Sequence, residues 1–249
     1  MNDNKVAAPG WMRLALEARA PLEFAASAVA APLLLSSPQG DNHAVIVFPG
    51  FMASDASTGP LRRLLRWLNY QTYGWGQGRN LNPSEEVFDK ALETIRQVHK
   101  KSSGKVSLVG WSLGGLYARE LAKREPNLVR QVVTLGSPFG GTGETNASKL
   151  FEWLNDGRPR IKISPESLRV APPVPTTSIY SRTDGVVPWQ YSVDEEGPMT
   201  ENIEVQASHL GLGVNPMVLH ALADRLAQPD GQWKAFDRTG VRRYVYGRQ

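Results

Sequence analysis

Val106-Ser-Leu-Val-Gly110-Trp-Ser112-Leu-Gly114-Gly115 is the stretch on which the reading of this chain turns. Val106 to Val109 is a short apolar run of the kind a buried parallel strand needs, and Leu113 to Lys123 has helical spacing. The pattern G-x-S-x-G therefore falls on a strand-to-helix turn. A chain with 23 glycines can match that pattern by chance, so the flanking strand and helix carry the argument. A serine on so sharp a turn has a strained backbone, and the residues two positions away must be small. Gly110 and Gly114 meet that need, and Gly115 allows the helix to approach the next strand. The start of the helix also leaves N–H groups and a positive dipole end beside Ser112, which suits a developing oxyanion.

Working outward, strands and helices alternate. Ala44 to Phe48 is an apolar, β-branched strand ending at Pro49-Gly50, and Leu61 to Leu68 carries leucines at helical spacing. Glu85 to Lys100 reads as a helix, with Ser84 as its N-cap and acids in its first turn. Val129 to Leu135, Thr177 to Tyr180 and Ile203 to Val205 read as further strands, and Met217 to Leu226 as a terminal helix. Such alternation predicts an α/β domain, a mostly parallel central sheet with helices on both faces. The whole chain, 1–249, reads as one such domain. An N-terminal segment, 1–43, is helical around Trp11 to Arg19. The interval from Gly141 to Pro175 is longer than a strand connection needs, so a small cap or lid insertion is expected over about 142–175.

Composition narrows the function classes. There is no cysteine, which excludes disulfides, Cys-ligated metal and a thiol nucleophile. The net charge, 28 − 24 = +4, is too small to imply nucleic acid. The apolar run Phe24 to Leu35 is shorter than the ~20 residues that span a bilayer. Asp3, Glu17 and Glu23 stand where a secretory leader would be basic. The expectation is a cytoplasmic protein, with a lipid surface left open as a peripheral contact. Oligomeric state has no signature in the sequence.

A serine hydroxyl needs a base to take its proton. Of four histidines, His43 precedes the first strand, where it could line a site mouth, although it lies upstream of the serine. His99 sits in a lysine-rich helix end and reads as exposed, and His220 as packed or at the surface of the last helix. His209 stands in a loop directly after the last strand and is the candidate base. The base in turn needs an acid, to hold its tautomer and stabilise imidazolium. Asp184 closes the strand Thr177 to Tyr180 and gives the chain order Ser112, Asp184, His209. Its rivals Asp194, Glu195 and Glu196 read as a solvated acidic loop.

Taken together, Val47-Phe-Pro-Gly-Phe51, Gly110-Trp-Ser-Leu-Gly-Gly115, Thr134-Leu-Gly-Ser-Pro138, Asp184-Gly185 and Ser208-His-Leu210 resemble α/β-hydrolases of the bacterial lipase/esterase type. The resemblance covers roughly Ala44 to Ala227. It implies an α/β-hydrolase fold and cleavage of carboxylic esters through Ser112, His209 and Asp184. The oxyanion would be held by the backbone N–H groups of Phe51 and Leu113. The usual His-Gly of the first loop is Pro49-Gly50 here, and Phe139 replaces a histidine in Gly136-Ser-Pro-Phe-Gly-Gly141. Tyr73-Gly-Trp-Gly-Gln-Gly-Arg-Asn80 also looks similar to this group, with no chemical role assigned. An acyltransferase would use the same three side chains, and a noncatalytic hydrolase-like scaffold is the remaining alternative.

Trp111, Phe151 and Trp153 are the candidate substrate contacts, the last two within an apolar segment, Lys149-Leu-Phe-Glu-Trp-Leu154. That segment reads either as packing or as the wall of an acyl pocket. The expected partner is a small-molecule acyl ester, with no nucleic acid and no cofactor. Some lipases of this type hold a structural calcium through an aspartate two residues after the catalytic histidine. Here that position is Gly211, so no metal is expected.

Overall fold

Five of the expected strands, and one that the sequence hides, form a single parallel sheet. The computed structural model describes residues 6–81, 83–141, 145–148 and 164–246. The chain opens with three helices, α1 (Trp11–Ala15), α2 (Ala20–Val29) and α3 (Ala31–Leu35), with a 3-10 turn at Leu16–Arg19. Then follow β1 (Ala44–Phe48), α4 (Gly59–Trp67), β2 (Gln71–Gly74), α5 (Glu85–Ser102), β3 (Val106–Trp111), α6 (Leu113–Arg124) and β4 (Val129–Leu135). After α7 (Pro165–Arg169) come β5 (Thr176–Tyr180), β6 (Thr200–Glu204) and α8 (Pro216–Leu226). The six strands lie in the order β2-β1-β3-β4-β5-β6, every pair parallel.

Alternate residues of each strand feed alternate faces. Val45 and Val47 join α4 and α8 in one core, with Leu61, Leu65, Leu219 and Leu222. Ala44, Ile46 and Phe48 join α5 and α6 in the other, with Phe88, Ile95, Tyr117 and Leu121. Both layers are needed because a parallel sheet has no face to give to water. Ser84 caps α5 by accepting a hydrogen bond from the Val87 N–H at 3.3 Å. Ser84→Ala should therefore cost about 1 kcal/mol of stability, read as a lower denaturant midpoint with an unchanged slope. A midpoint equal to wild type would mean that water replaces the cap fully.

Strand β2 escapes sequence reading because Gln71-Thr-Tyr-Gly74 is a half-buried edge with no apolar run. It is held by backbone pairing to β1, from Ala44 with Gln71 to Val47 with Gly74. The acidic loop also corrects its sequence reading. Glu195 and Glu196 are exposed, but Asp194 is buried and paired with the Arg119 guanidinium. Arg119 also donates to the carbonyl oxygens of Leu168, Arg169 and Val170, and lies 3.8 Å over the Phe139 ring. A buried charge needs such partners, and these fix the end of α7 against α6. Residue 169 in turn reaches back through its Nε to the Gly140 carbonyl at 3.1 Å. These contacts belong to the expected insertion over about 142–175, most of which lies outside the described residues. Among the described residues no helix is long and apolar enough to cross a membrane.

Candidate active site

Strand β3 ends at Trp111 and α6 begins at Leu113, which leaves Ser112 alone at the turn. Its φ of 54° and ψ of −123° is a conformation that residues with a side chain rarely adopt. The glycines around it are there for room. A Cβ at Gly110 would lie 2.4 Å from the Gly114 carbonyl oxygen, and one at Gly114 would lie 2.3 Å from that of Phe48. Any larger residue at either position would push the helix off the sheet. The serine is thus lifted above the carboxyl edge of the strands at a helix start.

Parallel pairing brings the other loops to the same edge. Phe48 of β1 is in register with Gly110, Gly110 with Thr134, and Leu135 with Ile179. The structure brings Ser112, His209 and Asp184 together there. His209 Nε2 lies 2.9 Å from Ser112 Oγ, and His209 Nδ1 lies 2.6 Å from Asp184 Oδ2. The other Asp184 oxygen accepts the N–H groups of Val186 and Val187, both at 2.8 Å. The carboxylate is thereby fixed from two sides and both side chains are buried. Burial of the ring works against protonated His209, but the charge and hydrogen bond of Asp184, with the charge of Glu17 added, raise its pKa above the ordinary value. Such a histidine is orientated to take the Ser112 proton and to remain stable as imidazolium.

Ser112, Phe51 and Leu113 line one cleft of about 230 Å³, with Leu116, Pro138 and Val187 among its walls. Leu113 is the first residue of α6, so its N–H has no partner within the helix. The loop that carries Phe51 is held from behind. Asn80 donates its amide to the Pro49 carbonyl at 2.8 Å, and its own carbonyl accepts the Met52 N–H at 2.7 Å. Asp55 accepts the N–H groups of Trp75 and Gly76. The stretch Tyr73 to Asn80, without a role in the sequence, is thus the buttress of the first loop.

Other sequence candidates fall elsewhere. Trp111 is not among the residues lining that cleft. Its indole N–H donates to the His209 carbonyl at 3.0 Å and so steadies the histidine loop. Phe151 and Trp153 lie outside the described residues. His43 is at the amino end of the sheet, bonded to Ser107 at 2.8 Å, far from any site mouth at the carboxyl edge. His99 is partly buried and bonded to the Gly104 carbonyl, not exposed, while His220 is half-buried against Ser37.

Two residues with no assigned role in the sequence belong to the site. Glu17 and Glu23, in the N-terminal segment, are both buried. Glu17 Oε1 accepts the N–H groups of Gly185 at 2.8 Å and His209 at 2.9 Å, and its Oε2 accepts that of Leu210 at 2.8 Å. Glu23 accepts from the Ser208 N–H at 2.8 Å and from the Asn215 amide at 3.2 Å. One carboxylate therefore ties the loop after Asp184 to the loop bearing His209. In the sequence these acids speak only against a secretory leader. Glu23 also occupies the space at Gly211, where a Cβ would lie 1.9 Å from its Oε2. Among the described residues no cluster of histidine and acidic side chains could hold a metal ion.

A family model described as the alpha/beta hydrolase family matches residues 45–247. The human protein "Serine hydrolase BPHL" is 28% identical over 127 residues, which cover 47% of this chain and 43% of that protein. Among solved structures, Aspergillus fumigatus lipase B superposes with a TM-score of 0.57 at 20% identity, over 79% of this chain and 55% of that one. Bacillus licheniformis lipase BlEst2 gives 0.53 at 12% identity, over 72% of this chain and 90% of that one. Matches to the first two proteins thus span only about half of their lengths. At these identities the likeness to the solved structures is one of fold.

Proposed function

This chain belongs to the alpha/beta hydrolase family, and we propose that it is a serine hydrolase of carboxylic esters. The observation that carries the reading is the unbroken chain of contacts from Ser112 Oγ through His209 to Asp184, at 2.9 and 2.6 Å, starting from a strained turn. In this reading Ser112 Oγ attacks the acyl carbonyl while His209 Nε2 takes its proton. Asp184 holds the imidazolium that results, and the N–H groups of Phe51 and Leu113 receive the oxyanion. Collapse of the tetrahedral intermediate expels the alcohol, which takes its proton from His209. Water then repeats the sequence on the acyl-enzyme and frees the acid. The cleft walls, Leu116, Pro138, Ala147 and Val187, favour an apolar acyl group. No step needs a cofactor.

Two measurements test this. A fluorophosphonate probe should form one adduct, on the peptide that contains Ser112, and His209→Ala should abolish labelling. A p-nitrophenyl ester series should then show kcat/KM rising up to about fourfold per added methylene until the cleft fills, since a buried methylene contributes about 0.8 kcal/mol. A folded protein that neither labels nor turns over any ester would overturn the proposal. Turnover that is flat or best with acetate would remove the apolar acyl preference.

A further inference from the structure

Surface helices ordinarily bury an apolar stripe and leave their charges in water. Helices α1–α3 do the reverse. Trp11 is 78% exposed, Leu22 72%, Val29 84% and Leu33 68%, with Met12 and Phe24 also open to solvent. The same segment turns both of its carboxylates inward, where Glu17 and Glu23 accept the backbone N–H groups described above. Those hydrogen bonds fix which side faces the domain. A large apolar face held outward by polar anchors is not a packing accident, because rolling the helices to bury it would strand two carboxylates and four N–H groups.

The charges that remain outside have one sign. Between Val6 and Gly40 the exposed charged residue is Arg13, while half-exposed Arg19 is paired with Glu23 at 2.9 Å and donates to Thr183 at 2.6 Å, and no acid is exposed. An apolar groove of about 620 Å³ separates α2 and α3 from α4, and α4 adds exposed Arg63 and Trp67 along its other bank. The face also adjoins the cleft. The Pro9 carbonyl accepts the Asn146 amide at 2.9 Å, between Thr145 and Ala147 of the cleft wall, and Leu210, next to His209, is 55% exposed.

We propose that α1–α3, with the groove beside α4, is a docking surface for a lipid layer carrying anionic headgroups, and that it holds the cleft at that layer. Tryptophan, leucine and valine would enter the boundary of the acyl chains while Arg13 and Arg63 meet phosphate. A second copy of the chain fits less well, because a two-fold contact through this face would set its arginines against one another. The cation-only rim selects an anionic layer over a neutral one.

Sedimentation of the full chain with phosphatidylcholine vesicles, with and without phosphatidylglycerol, tests this. Wild type should sediment with the phosphatidylglycerol vesicles, less with the neutral ones, and less still as salt is raised. Trp fluorescence should shift to the blue on binding. Leu22→Ser/Val29→Ser/Leu33→Ser should lose about tenfold or more in partition, yet keep wild-type kcat/KM on a water-soluble short ester. These side chains are exposed, so the variant should fold. Ser112→Ala protein should bind as wild type does, which separates failure of docking from failure of the ester reading. Wild type left in the supernatant with both vesicle types overturns the proposal, as does a triple variant that binds normally. A wild-type dimer that the triple variant converts to monomer, without vesicle binding, assigns the face to a second copy instead.

Discussion

Alanine at Ser112 or His209 is expected to lower kcat for ester hydrolysis by roughly ten-thousand-fold to million-fold, and alanine at Asp184 by no more than either. In the proposed mechanism Ser112 gives its proton to His209 Nε2 while Asp184 holds the Nδ1–H, at 2.9 and 2.6 Å, so the three work as one unit and the losses should not add. Ser112→Ala/His209→Ala should be no slower than the worse single variant. Whatever activity remains over water would come from the oxyanion donors and binding. Ser112→Gly should lose the same activity while gaining about 1 kcal/mol of stability, because its φ of 54° costs glycine nothing. Stability and chemistry would then be opposed at one residue. Near wild-type turnover by correctly folded Ser112→Ala would falsify the mechanism. A Ser112→Gly variant that is no more stable would mean that the turn relaxes without strain.

The parts of this fold that read directly from the sequence are those where one residue's environment dictates its type. Buried parallel strands must be apolar throughout, and β1, β3 and β4 are legible as such runs. The turn at Ser112 must be flanked by residues without side chains, and Gly110 and Gly114 announce it. His209 and Asp184 are legible because each follows a strand at the carboxyl edge. What stayed hidden depends on partners distant in sequence. Asp194 belongs to an acidic run, and only its approach to Arg119, 75 residues earlier, makes it a buried ion pair. Edge strand β2 needs no apolar pattern, since it is held by its backbone. The bond from the Trp111 N–H to the His209 carbonyl likewise joins residues 98 positions apart. Glu17 lies 192 residues before the histidine whose N–H it accepts, and no local pattern can express that bond.

Glu17→Gln tests whether that bond matters to the chemistry. The carboxylate takes three backbone N–H groups, from Gly185, His209 and Leu210, and so spans the loops of the acid and the base. An amide of the same shape has one accepting oxygen, and it must turn an N–H₂ group towards a backbone N–H. With the carbonyl kept on Gly185 and His209, the Leu210 N–H faces that donor and the His209 loop should shift. Displacement of a catalytic group by about an ångström costs on the order of a hundredfold in rate, so kcat should fall by about that factor while KM changes little. The pH profile supplies the second readout. His209 must be neutral to accept the serine proton, so kcat/KM falls as pH drops through its pKa, which is raised partly by the charge of Glu17. Removing that charge destabilises imidazolium, lowers the pKa and moves the acid limb of the profile to lower pH. Glu17→Asp keeps the charge but is one methylene too short to span both loops, so it should restore the limb without restoring the rate. A merely structural Glu17 would give less stable protein whose surviving molecules keep the wild-type limb and kcat. A limb that stays in place with kcat reduced would leave positioning as the whole effect, with Asp184 alone setting the charge of His209.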